Sequence, residues 1–263
     1  MKHIIFTILI GLLAGNIAQG QNQYTINKSS GTLKIMGIDA LDIQGYDGTS
    51  IVFTNNSQQD NETSERTKGL KIINSLGLND NSGIGLSIEE EGNEVSVQQI
   101  SNGSSCGCDD GYTIKVPNSM GLYVEHSTTY GDDVKISDMK GEIEISVNYN
   151  DLDLDNVTGP MAIKTVYGDL EIKFGTVSQS NAISLVSVYG HVDVSMPAST
   201  KADLQVKTNY GALYSDMDIK VTGKGTDGKM KSVSTKKVNG TINGGGVEIS
   251  LSSMYDDVYL RAL

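Results

Sequence analysis

Tyr130, Tyr149, Tyr167, Tyr189, Tyr210 and Tyr255 follow one another at intervals of 19, 18, 22, 21 and 45 residues. A pattern repeated every 20 residues or so marks a solenoid, because no single unit can bury its apolar face alone and each must stack on its neighbours. The last interval is expected to hold two periods, one of them without its tyrosine.

Each tyrosine sits inside the same frame. Ile143, Ile145 and Val147 precede Tyr149, and Leu152 and Leu154 follow it; Met161, Ile163 and Thr165 precede Tyr167, and Leu170 and Ile172 follow. Ile183, Leu185 and Ser187 with Val192 and Val194 surround Tyr189, as Ile249, Leu251 and Ser253 with Val258 and Leu260 surround Tyr255. Alternation of this kind is the period of a half-buried strand. Between the two strands stands a corner residue, Gly131, Gly168, Gly190 or Gly211, with Asn150 and Asp256 as substitutes. These residue types tolerate positive φ. Gly141 and Gly159 supply a second corner, so a coil reads strand, corner, strand, corner. The expected fold is all-β: a parallel β-solenoid, or single-stranded β-helix, with coils of about 20 residues stacked about 4.8 Å apart.

The tyrosines share the parity of the apolar residues, which predicts an inward structural ladder of Tyr130, Tyr149, Tyr167, Tyr189, Tyr210 and Tyr255 closing the core. With no Trp in the chain, tyrosine is the main aromatic mass available for packing. An outward row, a platform for sugar rings, is the alternative. In one coil His126 takes the place held by Ile145, Ile163, Leu185 and Val206, and Asp132–Asp133 sets Val134 one residue late. A bulge or shifted register explains this break, and a metal-binding histidine is the competing explanation.

Residues 1–20 are expected to be a cleaved signal peptide: Lys2, an apolar run from Ile4 to Ala14, then small residues at Ala18 and Gly20. The run is too short for a convincing membrane span. With no Cys near the cleavage point, a lipid anchor is not expected, and Gln21 becomes the first residue of an exported protein, periplasmic, on the outer surface or secreted. The formal net charge is −12 for the whole chain. Such a surface repels nucleic acid and anionic membrane. Arginine occurs only at Arg66 and Arg261, which argues against phosphate recognition.

Residues 21–120 read as an N-terminal β region with a hairpin and loops, continuous with the tyrosine-repeat solenoid of residues 121–263. Leu33 and Ile35, Leu41 and Ile43, and Ile51 and Phe53 alternate as short strands between glycines, and residues 55–68 are a polar loop. Ile84, Leu86 and Ile88 with Val95 and Val97 predict a hairpin around Glu90-Glu91-Gly92-Asn93. The segment from Gly77 to Gly85 mimics a phosphate loop but lacks the Gly-Lys-Ser/Thr ending.

The Tyr-Gly-Asp-Leu-Glu-Ile type unit resembles, in its order with Gly45-Tyr46-Asp47-Gly48, the Gly77–Leu86 segment and Gly240-Thr241-Ile242-Asn243-Gly244-Gly245-Gly246, the bacterial putative-adhesin domain family, described as toast-rack-like and of unknown function. The resemblance covers roughly residues 30–263. It implies a parallel β-solenoid in an exported protein and brings no catalytic residues.

Three constellations bear on chemistry. Cys106-Gly107-Cys108, in an exported chain, admits a local disulfide, free or intermolecular thiols, or a soft-metal site with two visible ligands. Asp151-Leu152-Asp153-Leu154-Asp155-Asn156 opens like a calcium loop, but Asn156 and Ala162 stand where glycine and glutamate are needed. Leu152 and Leu154 instead put the carboxylates on the outer face of a strand. Stacking makes a column of Asp132, Asp151, Asp169 and Asp257, interrupted by His191 and Ala212, serving turn hydrogen bonds or weak divalent-cation binding. No catalytic, cofactor or metal residue is expected. The function this favours is a non-enzymatic envelope or surface module, adhesin-like in binding a glycan or another envelope protein, with no membrane span and with end-to-end self-association through uncapped coils. The alternatives are a polysaccharide-active enzyme on a parallel β-helix, for which no acid/base carboxylate pair in a cleft is evident, and an envelope-stress structural module.

Overall fold

The computed structural model describes residues 22–38, 40–56, 70, 73–74, 77–100, 111–126, 133–222 and 236–263. The expected signal peptide, Cys106, Cys108, Tyr130, Gly131, Asp132 and most of the polar stretch 55–68 lie outside the described residues.

Regular structure among the described residues is all β-strand, and the strands form one ten-stranded and one eleven-stranded sheet. Each coil gives one strand to each sheet: Met161–Thr165 lies in the larger sheet and Leu170–Phe174 in the smaller, and the same holds for Ile183–Ser187 with Val192–Met196. Alternate residues of these strands are buried and the rest face out, as the period of two requires. Register then puts like on like. Ile145, Ile163, Leu185 and Leu251 form one column, and Leu154, Ile172, Val194 and Leu260 form the facing one. The columns close into a single core that runs from Ile26 to Leu260, with Phe53 and Phe174 fully buried in it. The fold is a parallel β-solenoid.

Coils do not stack in chain order at either end. Thr32–Met36 lies between Glu94–Gln99 and Gly121–His126, and Leu41–Tyr46 lies between Tyr112–Pro117 and Val134–Ser137. At the opposite end Val247–Ser253 inserts between Ile183–Ser187 and Ala202–Thr208, and Val258–Ala262 between Val192–Met196 and Leu213–Ser215. The 45-residue interval is therefore not two coils in line. It is an excursion to the outermost coil, Ala202–Thr208 with Leu213–Ser215, followed by a return to the space beneath it. Among the described residues the smaller sheet ends here on the parallel strand Leu213–Ser215. Antiparallel strands cover the other three of the four sheet ends: Lys236–Ile242 and Ile219–Val221 beyond Ala202–Thr208, Ile51–Asn55 and Gln23–Ile26 beyond Tyr112–Pro117, and Leu86–Glu91 beyond Glu94–Gln99. Such terminal strands hide the open ladder that a stack of parallel coils otherwise presents.

The corner glycines serve a purpose other than the expected one. Gly168, Gly190, Gly211 and Gly141 are not among the positive-φ residues, although Gly159 is, at φ 80°. A Cβ on Gly168 would overlap the carbonyl oxygen of Asn150; on Gly190, that of Gly168; on Gly211, that of Asp256. Glycine is required because the neighbouring coil's backbone lies against the corner. In the Gly77–Gly85 segment the Asp80 carboxylate accepts hydrogen bonds from the amides of Ser82, Gly83 and Gly85 at 2.8–3.0 Å. Those amides, which a phosphate would need, are already engaged.

Candidate functional site

The tyrosine row begins with a buried hydroxyl. The inward parity of Met161–Thr165 ends at Thr165, and the chain turns before Tyr167; Ser187, Thr208 and Ser253 end their strands in the same way. Each hydroxyl does two jobs. Ser187 Oγ accepts the Gly190 amide at 3.0 Å and donates to the Gly168 carbonyl of the adjacent coil at 2.9 Å. Ser253 repeats this with the Asp256 amide and the Gly190 carbonyl, and Thr165 with the Gly168 amide and the Asn150 carbonyl. The hydroxyl thus satisfies corner groups that would otherwise be buried unpaired. Ser187→Ala is expected to cost about 2 kcal/mol, since it strips a buried donor and a buried acceptor of their partner. Ser250→Ala, on an outward position, should stay within about 0.5 kcal/mol of wild type in the same urea titration.

The turn reverses the expected direction of the tyrosines. Tyr149 is 39% exposed, Tyr167 51%, Tyr189 46%, Tyr255 47% and Tyr210 70%, so the ladder is not buried in the core. Parity carried through the strand fails at the corner, where the backbone no longer alternates. The side chains instead stack face to face along the outside, in the order Tyr149, Tyr167, Tyr189, Tyr255, Tyr210. Ring centroids are 4.7, 4.8, 4.8 and 5.1 Å apart and neighbouring planes diverge by 4–13°. The spacing is that of the strands themselves. Interior rings have both faces covered by neighbours, so what the row presents to solvent is ring edges and phenol hydroxyls.

Beside the row runs the acidic column. Asp151 Oδ1 accepts the amide of Asp169 at 2.8 Å, Asp169 Oδ1 that of His191 at 2.8 Å, and Asp257 Oδ1 that of Ala212 at 2.7 Å. The carboxylates therefore tie one coil to the next rather than shaping their own turns. His191 Nδ1 lies 3.0 Å from the same Asp169 oxygen. Further out on the smaller sheet, Asp153, Glu171, Asp193, Tyr259 and Tyr214 fall in one register column. Arg261 grips Asp193 at 2.7–3.0 Å and covers the Tyr259 ring at 5.2 Å, and Tyr214 stacks on Tyr259 at 5.4 Å. Partial desolvation and the Asp257 carboxylate raise the Tyr259 phenol above its ordinary pKa, while the hydrogen bond to Asp193 holds the Arg261 guanidinium still more firmly protonated. A recess of about 270 Å³ opens between Asp133, Lys135, Asp151, Asp153, Asp169 and Glu171. Among the described residues no three His, Cys, Asp or Glu side chains are placed to hold a metal ion.

His126 is displaced from its expected column. It pairs with Val147, not with Ile145, and lies buried with Nδ1 3.0 Å from Asn150 Oδ1. Near the far end, Tyr112 donates its hydroxyl to the Ile84 carbonyl at 2.8 Å; burial, with Asp80 nearby, pushes that phenol well above the usual range. A signal for the outward turn does stand in the sequence, though strand parity overrode it: hydroxyl-x-Tyr-Gly at 165–168, 187–190 and 208–211. It marks where the strand stops and the tyrosine swings out.

The architecture defines a class: a parallel β-solenoid whose corners carry an exposed aromatic row. Residues 133–261 match the family described as Toastrack DUF4097, and this stretch is a toast-rack-like domain of unknown function. No curated protein matches the chain. Among solved structures, the chain is similar to one from Clostridium sporogenes described as a putative cell adhesion protein, with 10% identity, a TM-score of 0.51, and 92% of this chain and 99% of that one covered. At that identity the likeness is one of fold.

Proposed function

We propose that the protein is an exported, non-enzymatic envelope or surface module that binds a glycan or another envelope protein along its tyrosine edge, in the manner of an adhesin. The observation that carries this is the row Tyr149–Tyr167–Tyr189–Tyr255–Tyr210: five aromatic side chains left half-exposed on a rigid edge. Monomeric proteins rarely leave so continuous an aromatic strip on the surface without a use for it. Because the ring faces are taken up by each other, recognition runs through hydroxyls and ring edges, which suits hydrogen bonding to sugar hydroxyls or a peptide backbone rather than flat stacking on a pyranose. Asp151 and Asp169 are engaged in inter-coil bonds and Asp193 is paired with Arg261, while Asp153 and Glu171 stand on exposed positions of their strands. This disfavours an acid/base pair and with it the polysaccharide-active alternative. The fold likeness to a protein described as a putative cell adhesion protein supports a surface role.

The experiment is binding of the mature protein to glycan and matrix-protein arrays, comparing wild type with Tyr167→Ala/Tyr189→Ala. Each exposed ring removed should cost only about 1 kcal/mol of stability, so the variant stays folded. Loss of array signal in the folded variant is the expected result. Unchanged binding, or hydrolysis of an arrayed glycan by wild type, would sink the proposal.

A further inference from the structure

We infer that the tyrosine row is a site of oxidative phenol coupling, at which hydrogen peroxide acting through a haem peroxidase joins neighbouring coils by dityrosine bonds. Three features of the row converge on this chemistry. The phenols lie nearly parallel at centroid separations of 4.7–5.1 Å, so each ring is the immediate neighbour of the next. The rings are 39–70% exposed, so an oxidant in solution reaches them and the side chains have room to tilt together. The backbones beneath are hydrogen-bonded in register, as Tyr167 N–H to Asn148 O at 2.8 Å and Tyr189 N–H to Val166 O at 2.9 Å, which keeps the partners adjacent whatever the side chains do. Tyr24, Tyr46 and Tyr123 stack on no other tyrosine among the described residues, and Tyr112 is buried.

The step balances as follows. Each of two phenols gives up one electron and its hydroxyl proton, leaving two phenoxyl radicals. These couple through one ortho carbon of each ring to form a single C–C bond, and the hydrogens on those carbons return to the oxygens to restore both phenols. The protein loses two hydrogen atoms in all, and one peroxide, taking up two electrons and two protons, becomes two water molecules. Contact between stacked rings lets a first radical exchange along the row until it meets a second.

The stack also dictates which pairs join. Tyr255 stands between Tyr189 and Tyr210, although Tyr189 and Tyr210 are successive in the chain. Lysines at Lys140, Lys164, Lys173, Lys201, Lys207, Lys220 and Lys237 put each of the five tyrosines on its own tryptic peptide. The full chain is treated with peroxide and a haem peroxidase at several protein dilutions, digested, and mapped by mass spectrometry together with dityrosine fluorescence. Fragmentation of the joined peptides tells 255–210 coupling from coupling of Tyr259 with Tyr214, which lie on the same two peptides. The expected result is joined peptides of the pairs 149–167, 167–189, 189–255 and 255–210, at a yield per chain that does not change on dilution. Tyr189→Phe keeps the ring and should remove the 167–189 and 189–255 products together while sparing 149–167 and 255–210. A yield that falls with dilution, coupling spread over Tyr24, Tyr46 and Tyr123, a dominant 189–210 product, or no dityrosine at all would overturn the inference. Since binding is read on arrays without oxidant, failure of the coupling leaves the adhesin-like proposal standing, and the reverse also holds.

Discussion

Replacing Phe174 by alanine is expected to lower the unfolding free energy by about 4 kcal/mol, the range for emptying a fully enclosed aromatic site. The ring is wholly buried at the end of Leu170–Phe174, where it registers with Val157 just past a bulge at Asn156. The bulge, with Asn156 at φ 52°, resets the pairing so that Val157 rather than Asn156 faces inward beside the ring. Two rigid sheets meet there, and neither can collapse into the space a methyl group leaves behind. Leucine keeps most of the volume and should cost about 1.5 kcal/mol or less. Urea titration of both variants measures this, with an unchanged slope showing that the loss is one of native stability. A loss below about 1 kcal/mol for alanine would mean the core is open at that coil. In a stack where each coil touches only its neighbours, one cavity weakens two interfaces.

Gly168→Ala is the second large effect, and it separates two explanations of the corner glycines. If the neighbouring backbone is what forbids a side chain, the added methyl drives Asn150 and Gly168 apart, disturbs the Tyr167–Asn148 hydrogen bond, and costs about 3 kcal/mol. Gly37 is the comparison. It has φ 61° and open space around its Cβ direction, so Gly37→Ala carries only the conformational penalty, about 1 kcal/mol. Thermal or chemical melts in which Gly168→Ala equals or falls below Gly37→Ala would contradict the steric account of the corners.

Much of the solenoid is legible in the chain because alternation is a local property. Ile143, Ile145 and Val147, or Leu170 and Ile172, must point one way in any extended strand, and a run of such strands broken every few residues by Gly, Asn or Asp leaves few ways to bury them. The sides taken by Asp153 and Glu171 follow from the same rule. The candidate site was less legible. Extending that rule through the corner put Tyr167 inside, because nothing in the two-residue period announces that the strand has stopped at Thr165. What ends it is the Thr165 hydroxyl taking the Gly168 amide, a local bond that competes with continuing the ladder. His126 was misplaced for a related reason: its coil is out of step with the tyrosine frame by two residues, and only pairing with Val147 reveals it.

Strand positions, corner positions and the identity of the core residues were thus set by the order of residues along the chain, since hydrophobic parity acts within each strand whatever its partner. The spatial order of the coils was not. Ile, Leu and Val predominate at the inward places of the coils, so the apolar pattern alone does not choose a neighbour: Leu185 could pack on Leu251 or on Val206. The choice falls to the ends of the stack, where an uncovered parallel edge would stay open. Sending the chain outward to Ala202–Thr208, capping it with Lys236–Ile242, and returning Val247–Ser253 beneath leaves antiparallel strands outermost in the larger sheet. That arrangement brings Tyr255 between Tyr189 and Tyr210 and completes the exposed row, a feature that depends on which coils meet and on the carbonyl each corner must clear, neither of which is written in any one repeat.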